Sequence, residues 1–499
     1  MADLIYYTAW HCQILFANYK CFGLDSQNNL ADRGFMPILL LIAAILFSVF
    51  AAIKPFFIKK FPVDIVSAPL FSLAMLYAFG IIDFSIILKG LQGYGTLRPW
   101  EIILIFFTVA YVSISVDLSG ILDYFAFRIV RRARGRKITL FVFFYVFASL
   151  LTIFTSNDIV ILTLTPIIFY LNKHADIDIM PLLFAEFFGA NTLSMLLYIG
   201  NPTNIIIGNA LNLGFADYFR VMALPTLAAA LGNGFLLFLV FRKRLLGTFV
   251  LRENTAVKLR SIYDALLSTS LLLLMLVVLI FSRQLGLEIW WVTLVFAGVY
   301  ILEDLGIGFF HIAKNPTLYI TELSADMKKI YTLYGFPSNR YDFFVIMKRI
   351  PWKILPFITV IFIFVHGLYY YGAISEIAYF LAALSQNSFS SVFVNGLGAF
   401  FLTNLINNQP AAILYANILV NPAFVVGAKA STGAAYAVIA ASNLGANLTL
   451  IGALAGIMWE KILRTKGLVI SYRDFLRKGF LITPFVFLVM LLFLYWVIS

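Results

Sequence analysis

Apolar runs of about 20 residues, the length a helix needs to cross a bilayer, recur along this chain and leave it little choice of solvent. They fall near 35–54, 64–84, 100–127, 180–210, 219–241, 262–283, 288–305, 352–372, 431–459 and 479–498. Of the 499 residues, 62% are apolar and 12% charged, whereas about a quarter of a soluble domain is charged. The expected class is an all-α polytopic membrane protein. We expect about ten transmembrane helices plus two re-entrant hairpins, in two inverted-topology repeats.

The hairpins are read from two further apolar stretches, 138–173 and 388–424. Each is broken at its centre by a polar tetrad: Thr155-Ser156-Asn157-Asp158 in the first and Asn407-Asn408-Gln409-Pro410 in the second. Asn, Asp and Pro are poor occupants of a lipid-facing helix. Irregular backbone at membrane depth survives only when buried in protein or lining a wet cavity. The tetrads are therefore expected at hairpin tips.

The net charge of +12 does not call for nucleic acid. Lys and Arg sit in short clusters between the apolar runs, at 54–60, 128–137, 242–244, 328–349 and 461–478. If the first hairpin enters from the cytoplasm and the second from outside, every cluster is cytoplasmic, as the positive-inside rule requires. Both termini are then expected outside a cell membrane. Four histidines show no paired ligand spacing, and no metal site, cofactor or nucleophile–base set is expected, so the chain does not read as an enzyme. MADLIYYTAW lacks a basic stretch before an apolar one, so no cleavable signal is expected. Residues 1–33 read as an outer interfacial segment, where pairing of Cys12 with Cys21 is left open. A repeat is expected over 34–242, a charged linker over 243–261 and a second repeat over 262–499, carrying a cytoplasmic insertion at 306–350.

The halves echo each other in their polar interruptions. Asn157 and Asn407 are 250 positions apart. The next break, Gly189-Ala190-Asn191-Thr192, recurs as Asn443-Leu444-Gly445-Ala446-Asn447, with Asn191 and Asn443 separated by 252 positions. Gly200-Asn201-Pro202-Thr203-Asn204 follows the first break, and Pro202 both removes a donor and disfavours helix at Asn201. The second break continues to Thr449. Paired interruptions of this kind point to a secondary transporter's midplane site. These segments supply the expected substrate and ion ligands. Intramembrane carboxylates are functional candidates by default, so Asp158, Asp117 and Glu186 are expected to compete for a coupling proton.

These motifs resemble the arsenite/antimonite permease family of the ion transporter superfamily, over roughly 35–498. Its first hairpin carries Asn-Asp and then Leu-Thr-Pro-Ile, matched by Asn157-Asp158 and Leu164-Thr165-Pro166-Ile167. Its second carries Asn-Asn-x-Pro, matched at 407–410. Asn191, Asn443 and Asn447 stand where some members carry charged residues. The Gly-Ala-Asn-Leu-Thr-Leu-Ile-Gly segment also looks like sodium-coupled carboxylate carriers of the same superfamily. The resemblance implies an elevator-type transporter on a scaffold that commonly forms a homodimer. It implies proton-coupled efflux of arsenite, antimonite or a similar small oxyacid. Sodium-coupled carboxylate transport or an uncoupled channel is the alternative. Besides the solute and the bilayer, a peripheral ATPase subunit stays open as a partner.

Overall fold

A computed structural model describes residues 35–93, 96–174, 177–250, 262–314, 342–428 and 431–499. The expected interfacial segment with Cys12 and Cys21, linker residues 251–261 and insertion residues 315–341 lie outside the described residues. The protein is an all-α polytopic membrane protein; a single hairpin of three-residue strands, β1 (Phe56–Ile58) and β2 (Phe61–Val63), is its only sheet among the described residues.

The chain opens with α1 (Phe35–Ile53), α2 (Ser67–Ala78) and α3 (Phe84–Gln92). A long helix α4 (Pro99–Leu118) and a short α5 (Ile121–Arg132) follow, then α6 (Lys137–Phe154) and α7 (Asn157–His174). Next come α8 (Met180–Leu193), α9 (Pro202–Ala210) and α10 (Phe215–Phe241). The second half starts with α11 (Ile262–Phe281), α12 (Ile289–Lys314) and α13 (Asp342–Arg349). It continues through α14 (Ile354–Tyr370), α15 (Ala373–Leu384), α16 (Ser388–Ile406), α17 (Asn408–Leu419) and α18 (Pro422–Gly427). After α19 (Ser431–Leu444) come two 3-10 turns, Gly445–Asn447 and Leu450–Gly452, before α20 (Leu454–Thr465) and α21 (Tyr472–Ile498).

One order of elements occurs twice. Helices α4 and α14 each end at a left-handed glycine, Gly120 (φ 78°) and Gly372 (φ 87°), which are 252 positions apart. A side chain is disfavoured at such a φ, so both long helices stop there and a 12-residue helix leaves in a new direction. A pair of helices broken at a polar tip follows, then (after the six-residue α18 in the second half) a 14-residue helix, an irregular break, a short helix and a 27-residue helix. The halves also interlock. Helices α1 and α3 pack on α14, whereas α11 to α13 pack on α4; α9 lies on α17 and α20 on α7.

Six described helices are long and apolar enough to cross a bilayer: α1, α4, α6, α10, α16 and α21. A seventh crossing arises if α14 and α15, bent by 77°, count as one. Four of the expected spans are interrupted. The expected span at 64–84 is divided between α2 and α3, because Gly80 (φ 68°) turns the chain after Ala78. The span expected at 100–127 stops at Leu118, before Gly120. The spans at 180–210 and 431–459 are each interrupted midway, at their polar segments. Large apolar side chains such as Leu231, Phe401, Phe480 and Trp496 are more than 60% exposed, as lipid-facing residues are.

Both breaks need a glycine against backbone. A Cβ at Gly200 would overlap the Ser194 carbonyl oxygen, and one at Gly456 the Leu450 carbonyl oxygen. At Gly467 (φ 79°) a Cβ meets nothing within 4 Å. Gly467→Ala should therefore cost only about 1 kcal/mol, the left-handed penalty. Gly200→Ala and Gly456→Ala should cost clearly more, because a carbonyl cannot give way. Thermal melting of the detergent-solubilised protein checks this ranking; equal losses at all three positions would contradict it.

Candidate functional site

The two helix breaks meet in a buried network of amides and hydroxyls. Asn157 begins α7, and its Nδ2 donates to Asn191 Oδ1 of α8 at 2.9 Å; Asn191 Nδ2 donates to Asn447 Oδ1 at 3.0 Å. This chain ties the first hairpin tip to the break in the other half. Asn443 forms the second junction. Its Oδ1 accepts from Ser194 Oγ (2.7 Å) and Asn201 Nδ2 (2.9 Å), while its Nδ2 donates to Asn204 Oδ1 (2.7 Å) and the Ile439 carbonyl (2.8 Å). Asn204 Nδ2 in turn donates to the Ser194 and Leu197 carbonyls that the break frees. Every bond of the network runs between amides, hydroxyls and backbone carbonyls, and its asparagines are at most 2% exposed.

Local sequence explains the geometry. Asn201 caps α9, its Oδ1 accepting from Thr203 N and Thr203 Oγ1 at 3.1 Å, and Pro202 takes the first helical position, where no donor is missed. Thr192 Oγ1 donates to the Phe188 carbonyl and accepts from Asn233 Nδ2 (2.7 Å) and Asn447 Nδ2 (3.3 Å). Gly445 lies in the 3-10 turn between Asn443 and Asn447. At the first tip, Thr155 Oγ1 returns to the Leu151 carbonyl and Ser156 Oγ accepts from Ile159 N. Asp158 is half-buried in the first turn of α7, at the positive end of its dipole.

The second tip repeats one bond of the first with different atoms. Asn408 Nδ2 donates to the Ser442 carbonyl at 3.4 Å, and its span of 34 residues equals that of Asn157 to Asn191. The structural equivalent of Asn157 is thus Asn408, 251 positions on, one residue beyond the pairing suggested by the motifs. Asn407 sits before it at φ 73°, ψ 154°, a region nearly confined to glycine that costs a side chain about 1–3 kcal/mol. Its Nδ2 donates to the Ile451 carbonyl at 3.0 Å. Thr449 Oγ1 donates to Asn404 Oδ1 at 2.7 Å. Gln409 and Pro410 are buried in the first turn of α17.

Three buried amide oxygens at the tips have no partner: Asn157 Oδ1, Asn408 Oδ1 and Gln409 Oε1. The remaining carboxylates stand apart from the amides. Asp117 pairs with Arg349 at 2.7 Å and accepts from Thr163 Oγ1 at 2.9 Å. Glu186, 0% exposed, accepts from Thr165 Oγ1 at 2.8 Å. Sequence reasoning missed Ser194, Asn233 and Asn404. Asn233 carried a signal, an amide between two glycines inside an apolar run, while Ser194 and Asn404 carried none, since single small polar residues are common in membrane helices.

With this geometry in hand, comparison with known proteins is informative. The citrate transporter family matches residues 35–437. The arsenical pump membrane protein of Escherichia coli (strain K12) is 26% identical over 394 residues, covering 77% of this chain and 83% of its own. A putative arsenical pump membrane protein of Bacillus subtilis (strain 168) is 24% identical, with 78% and 85% covered. An uncharacterized transporter of Mycobacterium tuberculosis (strain ATCC 25618 / H37Rv) is 23% identical, with 77% and 83% covered. The resemblance read from the hairpin motifs is thereby borne out.

Network residues and unpaired ones should behave differently on truncation. Asn443→Ala strands the polar groups of Ser194, Asn201 and Asn204, at about 1–3 kcal/mol for each group left unsatisfied. It should lower the melting temperature far more than Asn157→Ala, which breaks one bond and removes an unpaired oxygen. Asn407→Gly should change the melting temperature less than Asn443→Ala, since relief of the backbone offsets the lost bonds to the Ile451 carbonyl and from Gln409 N. Melting curves of the three variants check this order.

Proposed function

Because the chain belongs to the citrate transporter family and is a membrane transporter, we propose that it exports arsenite, antimonite or a similar small oxyacid in exchange for protons. The observation that carries this reading is the set of unpaired acceptors at the two tips, Asn157 Oδ1, Asn408 Oδ1 and Gln409 Oε1. An unmet buried acceptor costs about 1–3 kcal/mol, and a solute that brings O–H donors removes that cost. Arsenite at neutral pH is a neutral trihydroxide, so it brings three. An ionised carboxylate brings acceptors alone and finds less to bind here. The printed names of the E. coli and B. subtilis relatives support the same substrate class.

Asp158 is the first choice for the coupling proton. It heads α7 beside Asn157, where proton uptake changes the charge next to the solute. In this reading α6–α10 and α16–α21 move together past a frame of α1–α4 and α11–α14, in a homodimer in the cell membrane. A second reading shares the key observation, for unpaired oxygens also suit a hard cation, and sodium-coupled carboxylate transport would use them as cation ligands.

Proteoliposomes separate the two. Labelled arsenite and labelled citrate are offered under a proton gradient alone and a sodium gradient alone. Arsenite movement driven by protons is expected, and Asp158→Asn should abolish it while the protein still melts cooperatively. Sodium-driven citrate uptake would replace the substrate and the ion. Normal proton-driven flux in Asp158→Asn would remove Asp158 from coupling.

A further inference from the structure

Helix α7 is gripped by carboxylates on two sides. Thr163 Oγ1 donates to Asp117 Oδ1 of α4 at 2.9 Å, and Thr165 Oγ1 donates to Glu186 Oε1 of α8 at 2.8 Å. Positions two apart on an α-helix diverge by about 200°, so the two grips oppose each other across α7. Their electrostatics differ. Asp117 has a counter-charge, Arg349, against its Oδ2. Glu186 is fully buried, its Oε1 accepts from the Thr165 hydroxyl, and its Oε2 has no partner among the described residues.

The ionisable groups of the elements that pack against α8 and its side chains are otherwise engaged. Tyr145 of α6 donates its hydroxyl to the Ala230 carbonyl at 2.7 Å. Lys478 of α21 sits over the Phe184 ring, 5.4 Å from its centroid. Glu460 of α20 is paired with Arg464. Asp158 lies on α7 itself, about two turns before Thr165. From α10, Asn233 reaches Phe188 and Thr192. Against α8, the 3-10 turn after α19 contributes the Asn447 amide, and Tyr436 of α19 faces the Tyr218 ring. An ionised Glu186 in this setting would be a buried charge without a counter-ion, the costly arrangement in a membrane interior.

We propose that Glu186 carries an exchangeable proton whose presence seats the first hairpin. With the proton bound, the neutral side chain stays in the core, holds Thr165 and keeps Asn157 and Asp158 at the head of α7 in register with Asn191. When the proton leaves to water, the carboxylate seeks water in turn and the α7–α8 grip opens. The step is a proton transfer between carboxyl oxygen and water; no bond of the solute changes. Glu186 is thus a positioning residue that acts through Thr165. The consequence for flux rests on the proton-coupled reading above, whereas the proton itself does not.

Two measurements on the full chain test this. Infrared difference spectra between acid and alkaline buffer should contain the C=O stretch of a protonated, buried carboxyl group. That band should vanish in Glu186→Gln and persist in Asp158→Asn. In proteoliposomes, flux limited by one proton changes about tenfold per pH unit, and that slope should flatten in Glu186→Gln while solute counterflow continues. Thr165→Val should keep the band and weaken solute binding. Should Glu186→Gln fail to fold, Glu186→Asp serves, with a shifted band expected. An unaltered band, or a wild-type pH slope in Glu186→Gln, overturns the proposal. Absence of arsenite flux in the wild type would overturn the substrate reading alone, because the infrared band still decides the proton site.

Discussion

Unwinding a helix inside a bilayer frees carbonyls and N–H groups that no water can satisfy, and the architecture follows from how these are met. Here the solution is asparagine. Its amide donates and accepts at once, so one side chain can answer a freed carbonyl and pass the bond onward. Asn443 does this four ways, reaching Ser194, Asn201 and Asn204 in the other half as well as Ile439 in its own helix. Asn204 meets the Ser194 and Leu197 carbonyls directly. The breaks are thus mutually dependent: each half supplies the polar partners that let the other half unwind. Helix α9 also packs on α17 and α20 on α7, so the helix after each break lies against the hairpin of the other half.

The tips obey a different rule from the breaks. The amides of Asn191, Asn201, Asn204, Asn443 and Asn447 at the breaks all have partners, whereas Asn233 beside them and the tips keep unpaired oxygens and Asn407 holds a backbone conformation that a glycine would tolerate better. A saturated polar network is rigid and specifies one arrangement. Unmet acceptors and local strain are usual where a ligand completes the site. In the function proposed above, Asn443 and Asn204 hold the fold while Asn157, Asn408 and Gln409 bind the solute.

Much of this was legible before any coordinates, because chemistry in an apolar context stands out. Asn, Asp and Pro at the centre of an apolar run have no place against lipid, so 155–158 and 407–410 declared themselves, as did Asn191 and Asn443. The breaks at Gly80, Gly120 and Gly372 were not legible in the same way. Glycine is ordinary in membrane helices, and its φ depends on what the following helix packs against. Register was off by one at the second tip, since two consecutive asparagines offer two alignments and only the bond from Asn408 to Ser442 decides between them. Ser194, Asn233 and Asn404 went unseen because their role lies in partners distant in the chain.

The recurrence of elements makes the remaining asymmetry informative. At the offset of 251 positions that relates Asn157 to Asn408, Asp158 corresponds to Gln409, Thr165 to Ala416 and Glu186 to Ala437. The offset of 252 between Gly120 and Gly372 relates Asp117 to Tyr369. Backbone geometry recurs, but none of these three carboxylates has a carboxylate counterpart around the second hairpin. Packing and backbone satisfaction favour keeping two equal halves, and nothing in those forces removes a carboxylate from one side only. Burying a carboxylate costs free energy, so folding alone does not account for its retention on one side. In the function proposed above, the first hairpin supplies the groups that can change charge, while the second offers the solute amides.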